Sequence, residues 1–175
     1  MLIQATPLPG VMVVEPVPVA DERGAFARLW CRDSFAKAGI AFAPVQESLS
    51  GNRLRHTLRG LHFQRAPAEE QKLVRCSRGE IFDVAVDLRA ESATRGQWFG
   101  ITLSAANGRS LFLPHGVAHG FLTLADDSEV HYLIDTAYAP GLAAGVRWDT
   151  PVFGIAWPHP PAVISDRDAV WGDNA

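Results

Sequence analysis

In the run IFDVAVDL, residues 81–88, bulky apolar side chains alternate with short or acidic ones from Phe82 onward. Successive side chains of a β-strand point to opposite faces, so Phe82, Val84, Val86 and Leu88 share one face and Asp83, Ala85 and Asp87 the other. The apolar face requires a core behind it. The second face meets either solvent or a polar interior; solvent is the simpler expectation for Asp87, and Asp83 suits both. Shorter strand-like runs occupy much of the remaining chain: Val11–Val14, Phe26–Trp30, Leu73–Cys76, Trp98–Leu103, Ser110–Leu113, Gly120–Leu124 and Val130–Ile134. Glycine and proline, 15 and 12 of the 175 residues, punctuate them. Asn107-Gly108 between two apolar runs predicts a hairpin turn. Helix is confined to one or two turns around Ser34–Ala38, stopped by Gly39, and a short piece in the proline-rich tail after Pro158. This pattern predicts an all-β fold, an antiparallel sandwich or small barrel, in one domain over residues 1–175.

A chain of this length buries a substantial core without disulfide or metal staples. Sixteen basic and nineteen acidic side chains leave a net charge of −3, which provides no general field for nucleic acid or an anionic membrane. The N-terminus lacks a signal pattern and no apolar run reaches bilayer length, so the expected location is the cytoplasm. Cys31 and Cys76 lack metal or redox spacing and are expected to be small buried thiols.

Candidate chemistry centres on the histidines. TLRGLHFQ, residues 57–64, reads as a buried strand through Leu58, Leu61 and Phe63, yet carries Arg59, His62 and Gln64, polar groups that are costly to bury without partners. PHGVAHGF, residues 114–121, has the spacing P-x-G-x-x-H ending on His119, which resembles the second motif of the cupins, jelly-roll barrels whose interior often holds a metal. The first cupin motif needs two histidines one residue apart, and here that place reads His62-Phe63-Gln64. Zinc-like metals prefer imidazole and carboxylate to a neutral amide, which turns the expectation from metal binding toward proton transfer. A histidine takes a carbon-bound proton well when a carboxylate orients its other ring nitrogen; Asp83, Asp87, Asp166 and Asp168 are the candidates by type. Tyr132 is either a phenolic acid or a ring packed at the barrel wall. Lys72 is either a solvated edge residue or a cavity cation.

Long stretches in order closely resemble the dTDP-4-dehydrorhamnose 3,5-epimerase family of deoxysugar-nucleotide enzymes: DERGAF (21–26), LRGLHFQ (58–64), QKLVRC (71–76), GEIFDVAVDLR (79–89), LSAANGRSLFLPHGVAHGF (103–121), EVHYLIDTAYAP (129–140), GVRWDTPVFGIAWP (145–158) and VISDRD (163–168). The resemblance implies a metal-free cupin jelly roll that needs no cofactor, usually a homodimer, acting on a nucleoside-diphosphate sugar. It implies epimerisation of a 4-keto-6-deoxyhexose at C3 and C5, whose protons the neighbouring ketone acidifies. By the same resemblance His62 is the general base, Asp168 its carboxylate partner, Tyr132 the acid on the opposite face and Lys72 the cation at the keto oxygen. His119 and Asp83 line the cavity, and Arg23 and Arg59 grip the diphosphate. Tyr138 stacks on the nucleobase, with Gln46 in the segment that contacts the nucleotide.

Several positions depart from the family pattern. Arg28 stands where an acidic residue is usual, Ser48 replaces an amide after Gln46-Glu47, Ala144 replaces a glutamate, Arg167 a lysine, and Leu133 follows Tyr132 in place of lysine. Most of these belong to the nucleotide surroundings. One reading of Arg28 is a base preference shifted away from thymine, because a guanidinium donates to acceptors such as those of cytosine; the other is neutral drift. The rival functions are a C3-only or C5-only epimerase, which could act on another nucleotide sugar such as a CDP-linked one, a non-catalytic sugar-nucleotide-binding cupin, and a metal-dependent cupin oxygenase.

Overall fold

The computed structural model describes residues 1–173. Its strands are β1 (Leu2–Ala5), β2 (Met12–Glu15), β3 (Val19–Asp21), β4 (Gly24–Phe26), β5 (Gln46–Asn52), β6 (Leu58–Gln64) and β7 (Lys72–Arg78). They continue as β8 (Glu80–Asp87), β9 (Trp98–Ser104), β10 (Ser110–Leu113), β11 (Val117–Thr123), β12 (Ser128–Ile134) and β13 (Ala143–Gly145). Two short helices, α1 (Arg32–Lys37) and α2 (Asp166–Ala169), complete the set. A six-stranded sheet, β1-β2-β10-β7-β12-β5, packs on a five-stranded one, β13-β6-β11-β8-β9, all pairs antiparallel. Val74, Cys76, Leu111 and Val130 from the first sheet meet Ile81, Ala85, Leu103 and Phe121 from the second in one buried cluster. This is the jelly-roll architecture of a cupin.

Both faces of β8 are buried, which corrects the expectation of a solvent-facing Asp87. Val84 and Val86 pack outward under Phe153, Ile155 and Trp157 of the C-terminal segment, while Ile81 and Ala85 face the barrel interior. Asp83 and Asp87 are both fully buried. Burial pushes the Asp87 carboxyl upward, but Arg89, Ser92 and Thr94 all donate to it, at 2.6–2.9 Å from their side chains, and hold it far below the usual carboxylate range.

The Asn107-Gly108 hairpin is not formed. β9 and β10 belong to different sheets, and the turn hands the chain from one sheet to the other. The turn chemistry itself is as expected: Asn107 Oδ1 accepts from Ser104 and Arg109 N–H, and Gly108 takes φ +62°. Local geometry therefore set the turn but not the pairing. The strand expected over Phe26–Trp30 ends at Phe26; Trp30 instead packs edge-on against Phe42 in a second core outside the six-stranded sheet. Cys76 is buried, and burial pushes its thiol up to about 11, whereas Cys31 is only half-buried, at the start of α1.

Two glycines let β6 and β11 approach closely. Gly60 has φ +137°, and a Cβ there would fall 2.5 Å from Gly120 Cα. This close approach sets His62 directly opposite His119 in the β6–β11 register.

Candidate active site

The space between the sheets opens into a cavity of about 490 Å³, within the range of roughly 300–1,000 Å³ that holds small ligands. Strand alternation selects most of the side chains that reach it, and a register shift between β6 and β11 brings Arg59 into it together with His62, three residues along the same strand. The five-stranded wall contributes Arg59, His62 and His119; the six-stranded wall contributes Gln46, Ser48, Lys72 and Tyr132. His62 and Tyr132 therefore face the cavity from opposite sheets.

His62 Nε2 lies 2.6 Å from Asp168 Oδ1. Asp168 also accepts from Gly60 N–H at 3.1 Å and from the Trp171 indole at 3.3 Å. Burial pushes the Asp168 carboxyl upward, but the His62 hydrogen bond and charge, with those further donors, hold it below the usual carboxylate range. An ionised Asp168 can only accept, so Nε2 is the donor of this pair and Nδ1 is the ring nitrogen it leaves unengaged. Asp168 reaches this position because Ser165 caps α2, accepting from Asp168 N–H, and because Thr57 bridges Val163 upstream. Of the carboxylates offered by type, tertiary structure selects this one for His62.

A second imidazole–carboxylate pair lies beside the first. His119 Nε2 is 2.7 Å from Asp83 Oδ1, and both residues are buried. Among the described residues nothing hydrogen-bonds Asp83 Oδ2. Burial pushes the Asp83 carboxyl up against the opposing pull of His119. The Tyr132 ring meets His119 edge-on at 5.8 Å. Burial, then the charge of Asp83, pushes the Tyr132 phenol well above its ordinary range, so it enters any reaction protonated.

Lys72 is a cavity cation, with Nζ 2.8 Å from Glu70 Oε1 and 3.4 Å from the His62 carbonyl oxygen, both charged side chains being 9% exposed. Two of its three ammonium donors are thereby directed, and the third remains for a ligand. Arg59 Nε donates to Asn52 Oδ1 at 2.8 Å, and Asn52 Nδ2 is held in turn by the carbonyls of Ser50 and Ser128. Arg167 lines the cavity with its guanidinium over the Trp171 ring, 4.9 Å from the centroid. Arg59, Lys72 and Arg167 make this lining suited to an anion.

Tyr138 stands at the rim, 57% exposed, and Ala144 lies in the wall. Leu133 points away, into the core outside the sheet, so its departure from the family pattern does not touch the cavity. Arg23 and Arg28 are not among the cavity-lining residues of the single chain. Arg23 sits on the β3–β4 ribbon, 85% exposed and paired with Asp21. Gln64 does line the cavity, but its amide is engaged by three backbone groups.

Glu70, Asn52 and Trp171 were not identified from sequence. Glu70 lay in view two residues before Lys72. Asn52 in SGN carries no local signal, because Ser128 lies 76 residues away. Trp171 is only three residues from Asp168, but that contact matters to the site only through the pairing of Asp168 with His62, 106 residues away.

The family model described as dTDP-4-dehydrorhamnose 3,5-epimerase matches residues 5–174. A dTDP-4-dehydrorhamnose 3,5-epimerase of Methanothermobacter thermautotrophicus is 44% identical over 169 residues, covering 95% of this chain and 90% of the relative. The crystal structure of a dTDP-6-deoxy-D-glucose-3,5-epimerase from Legionella pneumophila, in complex with dTDP-4-keto-L-rhamnose, superposes with a TM-score of 0.92 at 34% identity, covering 98% of this chain and 92% of that one. A 3'-monoepimerase from Streptomyces bikiniensis, in complex with dTDP-quinovose, superposes with a TM-score of 0.90 at 32% identity, covering 97% and 86%.

Proposed function

Since the chain belongs to the dTDP-4-dehydrorhamnose 3,5-epimerase family and so is an isomerase, we propose that it converts dTDP-4-dehydro-6-deoxy-D-glucose to dTDP-4-dehydro-L-rhamnose within one domain. The observation that carries this reading is the placement of His62 and Tyr132 on facing walls of one cavity. Inverting a carbon centre requires removal of a proton from one face and delivery to the other.

In this mechanism His62 Nδ1 takes the proton from C5 or C3, and the C–H electron pair delocalises onto the C4 oxygen as an enolate. Asp168 stabilises the imidazolium that forms. Lys72, aimed by Glu70, meets the developing charge on oxygen, with His119 beside it. Collapse of the enolate takes a proton from the Tyr132 hydroxyl on the opposite face. Arg59, held by Asn52, binds the diphosphate with Arg167 nearby, and Tyr138 stacks on the base over Gln46 and Ser48.

The same proposal includes a homodimer. The β3–β4 ribbon pairs with no other strand among the described residues, and it exposes Val19 at 73% and Phe26 at 77%. A lone two-stranded ribbon with exposed apolar side chains is marginal in water. A second copy would cover it and bring Arg23 to the partner's cavity. Arg28 follows the same ribbon, so any effect on base preference is expected through that contact. If Arg23 acts in trans, mixing Arg23→Ala and His62→Ala proteins should restore about a quarter of wild-type activity, since random pairing leaves one intact site in each mixed dimer. No recovery after verified subunit exchange would place Arg23 outside the partner's site. Among the described residues no helix is long and apolar enough to cross a membrane, and a cytoplasmic location is part of the proposal.

The C3-only reading is kept because the monoepimerase neighbour shares the fold. Incubation with the 4-keto-6-deoxyglucose nucleotide in D₂O, followed by NMR, separates the two. Deuterium at both C3 and C5 is expected. Deuterium at one carbon assigns a mono-epimerase, and none with any nucleotide tested leaves a binding protein.

A further inference from the structure

Gln64 occupies the place of the second imidazole in a cupin metal motif, and its amide bonds to the protein itself. The residue is 4% exposed. Its Oε1 accepts from Ala139 N–H at 2.7 Å, and its Nε2 donates to the carbonyls of Ala137 at 3.3 Å and Ala68 at 3.1 Å. All partners are backbone groups with fixed donor or acceptor character, so the amide orientation is forced. Ala137 and Ala139 flank Tyr138.

The segment between β12 and β13 that carries Tyr138 has no strand partner of its own among the described residues. Thr136 Oγ1 on the Glu69 carbonyl and Arg65 N–H on the Leu142 carbonyl tie its two ends. Gln64 binds it on both sides of the tyrosine. We propose that Gln64 is a positioning residue for nucleotide binding: by pinning residues 137 and 139 it holds the Tyr138 ring at the cavity rim. This rests on the stacking role given to Tyr138 above. Only an amide at this reach supplies one acceptor and two donors. Leucine supplies neither, and glutamate keeps the acceptor but sets a carboxylate oxygen against two carbonyl oxygens.

The test compares wild type, Gln64→Leu, Tyr138→Ala and the double variant by calorimetric titration with dTDP, by kcat and KM, and by hydrogen exchange at the Ala139 amide. Gln64→Leu should raise both the Kd for dTDP and KM about tenfold, with kcat held within about threefold and the Ala139 amide deprotected. In the Tyr138→Ala background the same change should add less than about twofold, because its effect passes through the missing ring. Full additivity, or a fall in kcat with KM unchanged, overturns the proposal. Should Gln64→Leu fail to fold, Gln64→Glu carries the same comparison. Wild-type dTDP affinity in Tyr138→Ala would instead overturn the stacking role, while exchange at Ala139 still reports whether Gln64 holds the loop; retained protection there in the Gln64 variant overturns the positioning role by itself.

Discussion

His62→Ala should lower kcat by about three orders of magnitude, the middle of the span for removing a positioned acid–base group, and should abolish solvent deuterium exchange into the substrate. The imidazole is the only part of the His62–Asp168 pair that faces the cavity directly; Asp168 lies behind it, held by Gly60 and Trp171 whether or not the ring is present. The variant should therefore keep its fold and its dTDP affinity, since Arg59, Arg167 and Tyr138 are untouched. Exchange measured by NMR, with circular dichroism as the folding control, checks the result. Full activity would overturn the assignment of the base.

Tyr132→Phe separates the two proton transfers. The phenol makes no hydrogen bond to another described residue that its loss would break, and the ring contact with His119 survives in phenylalanine. Abstraction by His62 should continue, so deuterium still enters the substrate from D₂O. Delivery from the opposite face should fail, and formation of the epimerised product should drop by about 10²- to 10⁴-fold. The expected result is exchange with retained configuration. Loss of both exchange and inversion would make Tyr132 part of the abstraction step, and wild-type inversion would remove it from the mechanism.

Much of the architecture was legible because it depends on local pattern. The alternation of residues 81–88 and the punctuated apolar runs pointed to an all-β sandwich or small barrel, and β7 to β12 lie close to where those runs stand. The failures share a cause. Asn107-Gly108 makes its expected turn, yet whether the flanking strands pair is settled by which sheet each one joins. Asp87 read as solvent-facing because alternation reports that there are two faces and does not say what covers each. The C-terminal segment and the Arg89, Ser92 and Thr94 donors cover both.

The site divides the same way. Residue types and order, including the histidine at 62 and the amide at 64, pointed by themselves to proton transfer and, through resemblance, to the family. Residue type left open which of four carboxylates serves His62, a choice that only the resemblance made, and nothing in the sequence reading said what aims Lys72 or what fixes Arg59. Those answers join residues 106, 2 and 7 positions apart in the chain. Alternation along a strand determines which side chains share a face, and only the packing of two sheets and a returning tail determines what those faces enclose.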